Sequence, residues 1–168
     1  MEFSRSFLIQ PNLYLRLRPG MEQKVKEKLH KADIPHNLIN HSCLALENSV
    51  HIDKIIELDK EALVQDYSSQ RVGEFLSLST FPNYSVDTPL RVYDCCAASG
   101  GKSILAYDLL KNIDLTISDI RESILVNLKN RFERAGIRNY KALVQDLTSP
   151  GKKLSAKKGD AFDLIIAD

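Results

Sequence analysis

Residues 90–103 read Leu-Arg-Val-Tyr-Asp-Cys-Cys-Ala-Ala-Ser-Gly-Gly-Lys-Ser, and this stretch decides the fold. Leu90, Val92 and Tyr93 make a short buried strand. A run of small residues follows, Ala97, Ala98, Ser99, Gly100 and Gly101. Beyond it Ile104, Leu105, Leu109 and Leu110 recur at helix spacing. Strand, small-residue turn and helix together open a βαβ unit of Rossmann type. Small residues let a ligand approach the main chain closely. The N–H groups at the start of a helix lack intrahelical partners and favour an anion.

Three cofactor classes use such a turn. The G-x-G-x-x-G of dinucleotide sites is absent. Gly101, Lys102 and Ser103 match the end of a phosphate-binding loop, but Cys96 stands where its first glycine belongs. The third class is S-adenosylmethionine (SAM), whose methionine carboxylate and amine sit against a turn of this kind.

Outward from the turn, the chain divides in three. Residues 1–60 read as a small α+β module. Leu13, Leu15 and Leu17 alternate with Tyr14, Arg16 and Arg18, the pattern of a half-buried strand with its basic side chains on one face. Such a strand suits a phosphate backbone, and equally an ordinary exposed face. Pro19-Gly20 ends it, residues 21–32 are helical with Val25 and Leu29 inward, and strand-like pieces recur at Cys43–Leu46 and Val50–Ile52. Residues 61–89 read as a linker helix and loop. Ser68 and Ser69 are cap candidates there, and Val72, Phe75, Leu76 and Leu78 form an apolar face.

Residues 90–168 alternate strand and helix. Strands are expected at Leu115–Ser118, Tyr140–Val144 and Phe162–Ala167, with a helix over Glu122–Ala135 capped by Gly136. Three strand ends carry carboxylates, Asp119, Asp146 and Asp168. An acidic group ending the second strand accepts hydrogen bonds from both ribose hydroxyls. Asp146 is placed to accept from an adenine amino group. Helix capping is the competing explanation for both. The pentapeptide Ala-Leu-Val-Gln-Asp occurs at 62–66 and again at 142–146, in contexts different enough to be read as coincidence.

D-C-C-A-A-S-G-G-K-S at 94–103 resembles the D-x-C-A-A-P-G-G-K-[ST] of the Fmu/Sun-type (NOL/NOP/Sun) RNA cytosine-5 methyltransferases. Ser99 stands where that family usually has proline. A second element of the family, V-Q-D-x-S-S-Q, lies upstream at Val64–Gln70, in the expected order. The resemblance covers residues 60–168 well and the first 60 weakly. It implies an α/β fold: a Rossmann-like SAM-dependent methyltransferase domain, first half only (strands 1–4), behind a small α+β RNA-contacting module. It implies SAM as cofactor, held by Cys96, Ala97, Ala98, Ser99, Gly100, Gly101, Lys102, Asp119, Asp146 and Asp168. It implies RNA as substrate, ribosomal ahead of transfer RNA. In the family Asp168 begins a D-x-P-C-S-G motif, and the nucleophilic cysteine is expected beyond it. The expectation is therefore a fragment that holds much of the SAM site without a complete active site. The alternatives are a phosphate-loop nucleotide-binding protein, or a non-catalytic RNA-binding relative of the methyltransferases.

Bulk composition fits. Net charge is only +1, but it is unevenly placed. From Arg5 to Lys31 seven basic residues face two acidic ones, and from Lys129 to Lys158 nine face two. Two basic stretches beside a cofactor fold suit an RNA, although solvated helix faces explain each alone. Three cysteines make no disulfide framework. No apolar run reaches a membrane span, no signal peptide opens the chain, and a cytoplasmic protein is expected. The four histidines lack zinc-ligand spacing, and no metal is expected.

Overall fold

The structure, a computed structural model, describes residues 11–76, 81, 87–148 and 161–167. The chain forms two compact units, Met1–Ser69 and Gln70–Asp168.

The first unit is a four-stranded antiparallel sheet in the order β2-β3-β1-β4, with helix α1 (Glu22–Lys31). Its strands are β1 (Leu13–Leu17), β2 (His36–Asn40), β3 (Cys43–Leu46) and β4 (Ala62–Val64). The core gathers Leu15, Leu17, Val25, Leu29, Leu44, Leu46, Ile52, Ile56 and Ala62. Val25 and Leu29, one helical turn apart, are the two buried residues of α1.

Four sequence expectations change here. β2 has no alternating pattern to announce it: Leu38 and Ile39 are exposed, and its register shifts at a bulge between Leu38 and Asn40. Backbone pairing to β3, not side-chain burial, holds it. Val50–Ile52 is not a strand; Ile52–Lys54 form a single 3₁₀ turn that buries Ile52. Residues 62–64 are not linker but the edge strand β4, paired antiparallel to β1. Arg16 does not lie on an exposed basic face. β1 is central, paired on both sides, and Arg16 is 4% exposed with its Nε–H donating to Gln65 Oε1 at 2.9 Å. Arg18 donates to the Asp59 carbonyl at 3.1 Å.

Lys24 and Lys28 of α1 close on the buried carboxylate of Glu61, at 2.7 and 2.8 Å. The Glu57 N–H donates to the same carboxylate at 2.8 Å. Burial alone would raise the Glu61 pKa, but these donors hold it down at about 2.

The second unit is a parallel sheet in the order β7-β6-β5-β8, with strands β5 (Leu90–Asp94), β6 (Ile113–Asp119), β7 (Tyr140–Val144) and β8 (Leu164–Ile166). Numbered by their order in this unit, the strands run 3-2-1-4. That is half of a doubly wound sheet, whose ligands bind at the carboxyl ends of the strands. Helix α3 (Gly101–Leu110) follows β5 and helix α4 (Glu122–Ala135) follows β6. The expected bounds of α4 and β7 agree with the structure. β6 begins earlier than expected, and β8 is shorter.

α4 buries Leu125, Leu128 and Phe132. It ends at Gly136 with φ +77°, where the Ile137 N–H returns to the Phe132 carbonyl at 2.8 Å. α3 is buried almost all round, although Leu109, expected inside, is 38% exposed.

Before the sheet, the short helix α2 (Tyr67–Arg71) runs into a 3₁₀ turn, Val72–Phe75. Ser68 and Ser69 lie inside α2 and so do not cap it. Phe75 is 74% exposed, not on an apolar face, while Leu76 is buried; Leu78 lies outside the described residues. Ala-Leu-Val opens the repeated pentapeptide, and both copies of it form an edge strand, β4 in one unit and the end of β7 in the other.

Candidate functional site

The turn between β5 and α3 carries Cys96 through Gly100 at the carboxyl end of the central strand, and Gly101 and Lys102 open α3. Ala98 has φ +44° and Gly100 φ +82°, so the chain reverses tightly. Gly100 is required twice over. A Cβ there would stand 2.7 Å from Phe132 Cε1 and 3.0 Å from Leu128 Cγ. α4 therefore presses directly on the turn.

Hydrogen bonds hold the turn's shape. The Ala97 N–H donates to the Ser118 carbonyl at 2.9 Å, and the Gly100 N–H to the Ala97 carbonyl at 2.7 Å. Arg131 of α4 reaches over with Nη1, donating to the Ser99 carbonyl at 3.0 Å and to its hydroxyl at 2.9 Å. Beneath, the buried Ser103 hydroxyl donates to Asp94 Oδ2 at 2.6 Å, tying the start of α3 to the end of β5. The Ser118 hydroxyl donates to the Cys95 carbonyl at 3.1 Å, so Tyr93 OH is the donor in its 2.8 Å bond to Ser118.

Asp119 ends β6 beside the turn. Its Oδ2 accepts from the Ala98 N–H at 2.9 Å, and its Oδ1 from the Arg121 N–H at 3.0 Å. The Arg121 side chain, with the burial cost outweighed, holds the carboxyl below the usual range. The Gln145 N–H donates to the Asp119 carbonyl at 3.1 Å, which brings the end of β7 to the same edge. Asp146 is next in sequence. Its Oδ1 accepts from the Thr148 N–H at 2.9 Å and hydroxyl at 2.7 Å, so this carboxylate shapes its own loop.

The structure thus brings the turn, Asp119 and the start of the Asp146 loop to one sheet edge. Asp168 lies outside the described residues, as does the lysine-rich loop at 149–160. Sequence inspection passed over Arg121, Arg131 and Ser118 as site residues. Nothing in their spacing marks them, because each acts through a partner distant in sequence or through a side chain turned back on its own helix start.

The cysteines divide by surroundings. Cys43 is buried in the first unit, Cys95 is half-buried and Cys96 is exposed. Burial pushes the Cys95 thiol up, and Cys96 beside it adds to the effect. Cys95 is therefore a poor source of thiolate. The phosphate-loop alternative also weakens. That chemistry needs the serine after the lysine to face magnesium, but Ser103 is 0% exposed and bonded to Asp94. Among the described residues no three His, Cys, Asp or Glu side chains gather for a metal ion. No helix among them is long and apolar enough to cross a membrane.

No family model and no curated protein matches this chain. Solved structures do. PH0851 superposes with TM-score 0.66 at 20% identity, over 82% of this chain and 31% of its own. A methyltransferase homolog protein from Pyrococcus horikoshii gives 0.65 at 17% identity, over 84% of this chain and 46% of its own. NSun6 from the same organism, solved with SFG, gives 0.59 at 9% identity, over 81% and 58%. The chain shares the fold of these proteins, here a Rossmann-like parallel sheet preceded by an α+β unit. It spans less than two thirds of the length of each.

Proposed function

We propose that this chain holds the SAM site of an RNA methyltransferase acting on carbon 5 of cytosine, with ribosomal RNA ahead of transfer RNA as substrate. The observation that carries the proposal is the 2.9 Å bond between the Ala98 N–H and Asp119. It joins the small-residue turn and the carboxylate ending the second strand into one cradle. In that cradle the turn from Cys96 to Lys102 takes the methionine end of the cofactor. Asp119 takes the ribose hydroxyls and Asp146 the adenine, and Asp168 is assigned to the cofactor from its place in the sequence alone. The likeness in fold to a methyltransferase homolog supports this assignment.

When bound, SAM supplies an electrophilic methyl group. The chain's own part is to fix that group. Arg131 and the Leu128–Phe132 surface of α4 keep the turn in one conformation, which preorganises its N–H groups for a carboxylate. Carbon 5 of cytosine becomes nucleophilic only after a thiolate adds to carbon 6. Cys95 and Cys43 are unsuited by burial, and Cys96 sits in the cofactor turn itself. None of the three is assigned that role. Lys129, Arg134 and Arg138 of the second unit are exposed, and cations of this kind suit a phosphate backbone.

Calorimetric titration of SAM into the chain and into Asp119→Ala tests the site. Saturable binding by the chain and its loss in the folded variant are expected. A folded chain that binds no SAM refutes the proposal.

A further inference from the structure

Asp119 has room for about four hydrogen bonds, two on each carboxylate oxygen. Two are taken by backbone, the Ala98 N–H on Oδ2 and the Arg121 N–H on Oδ1. The Arg121 guanidinium takes the rest, with Nε donating to Oδ1 at 3.1 Å and Nη2 to Oδ2 at 3.4 Å. One planar group therefore places one donor on each oxygen. A ribose, with hydroxyls on adjacent carbons, would make the same two-pronged approach. Asp119 is otherwise enclosed, at 6% exposure.

We infer that the Arg121 side chain occupies the ribose-diol subsite of Asp119, and that it must swing out for a ribose-bearing cofactor to bind. This rests on the SAM assignment above. Arg121 thereby sets the affinity of the site without contributing to it: every binding event first breaks the bidentate pair.

The local structure permits the swing. Arg121 stands at the N-cap of α4 with extended backbone, φ −96° and ψ 106°. Its cap geometry is held by main chain, through its own N–H to Asp119 and the Ile124 N–H to its carbonyl at 3.2 Å. Moving the side chain leaves both bonds in place. The Arg121 side chain is already 58% exposed, so it leaves for water at little desolvation gain or cost. The Ala98 N–H stays on Asp119 throughout and keeps the carboxylate aimed at the turn.

The test is calorimetric titration of SAM into the chain, Arg121→Ala and Arg121→Gln, with a thermal melt of each to establish folding. Removing this competing, partly exposed ion pair predicts about fivefold tighter binding by Arg121→Ala. Arg121→Gln, which keeps one neutral donor, is expected to change in the same direction by less, and carries the test should Arg121→Ala not fold. Equal or weaker binding by a folded variant, with the parent still binding, overturns the inference and leaves the SAM site standing. No binding by the folded parent or by either folded variant overturns the SAM assignment itself.

Discussion

Gly100→Ala isolates how tightly α4 grips the turn between β5 and α3, because a second glycine provides the control. Gly100 and Gly136 both lie at positive φ, +82° and +77°. An L-residue in that region costs roughly 1–2 kcal/mol at either place. Both substitutions also restrict the unfolded chain by similar amounts, which cancels in the comparison. The surroundings differ. A Cβ at Gly136 meets nothing within 4 Å. At Gly100 it would stand 2.7 Å from a Phe132 ring carbon and 3.0 Å from Leu128, both fully buried and unable to retreat. Overpacking a filled core costs about 1–3 kcal/mol. Gly100→Ala should therefore lose about 1–3 kcal/mol more than Gly136→Ala. Urea unfolding followed by circular dichroism, at a common slope, reads the difference as a shift in midpoint. Because α4 must move off the turn, Gly100→Ala should also weaken SAM binding, while Gly136→Ala leaves it unchanged. Equal losses in the two variants, within about 0.5 kcal/mol, would refute the claim that α4 packs directly on the turn.

Other expectations concern single contacts. Glu61→Gln removes the anion between Lys24 and Lys28 and should destabilise the first unit by roughly 1–3 kcal/mol, measured by denaturant titration at neutral pH. The folded-state Glu61 pKa is depressed to about 2, so its contribution is fully present above the ordinary carboxylate range. Stability should fall as pH drops from about 4.5 to about 2, and that acid dependence should be smaller in Glu61→Gln. Arg131→Ala removes both Nη1 hydrogen bonds to Ser99 and should weaken SAM binding by about tenfold, one to two hydrogen bonds' worth. Calorimetry on the folded variant measures it, and unchanged affinity would show that the turn holds its shape without that clamp.

The fold was written largely in local pattern. The turn after β5 needed small residues in sequence, α4 needed an apolar stripe and a terminal glycine, and β7 needed a short β-prone run. Each is a property of neighbours along the chain. β2 escaped notice because an edge strand pairs through backbone and leaves Leu38 and Ile39 exposed. β4 escaped because it holds three residues and became a strand only against β1. The alternation in β1 was correct, but it implied one wet face. Pairing on both sides, with Arg16 bonded to Gln65, gave a buried arginine instead.

The site divides in the same way. The types and spacing of residues from Cys96 to Lys102, with carboxylates closing successive strands, named the candidate cradle without coordinates. Spacing carries that information because parallel strands joined by helices must end on one edge. What Asp119 does before a ligand arrives could not be read from spacing. Nor could the grip of Phe132 and Leu128 on Gly100, or the reach of Arg131 across 32 residues to Ser99. Those depend on side-chain direction and on distances between elements, which the chain acquires only when the helices settle on the sheet. The sequence determined which groups reach the edge; the tertiary structure decided which of them are already occupied, and by what.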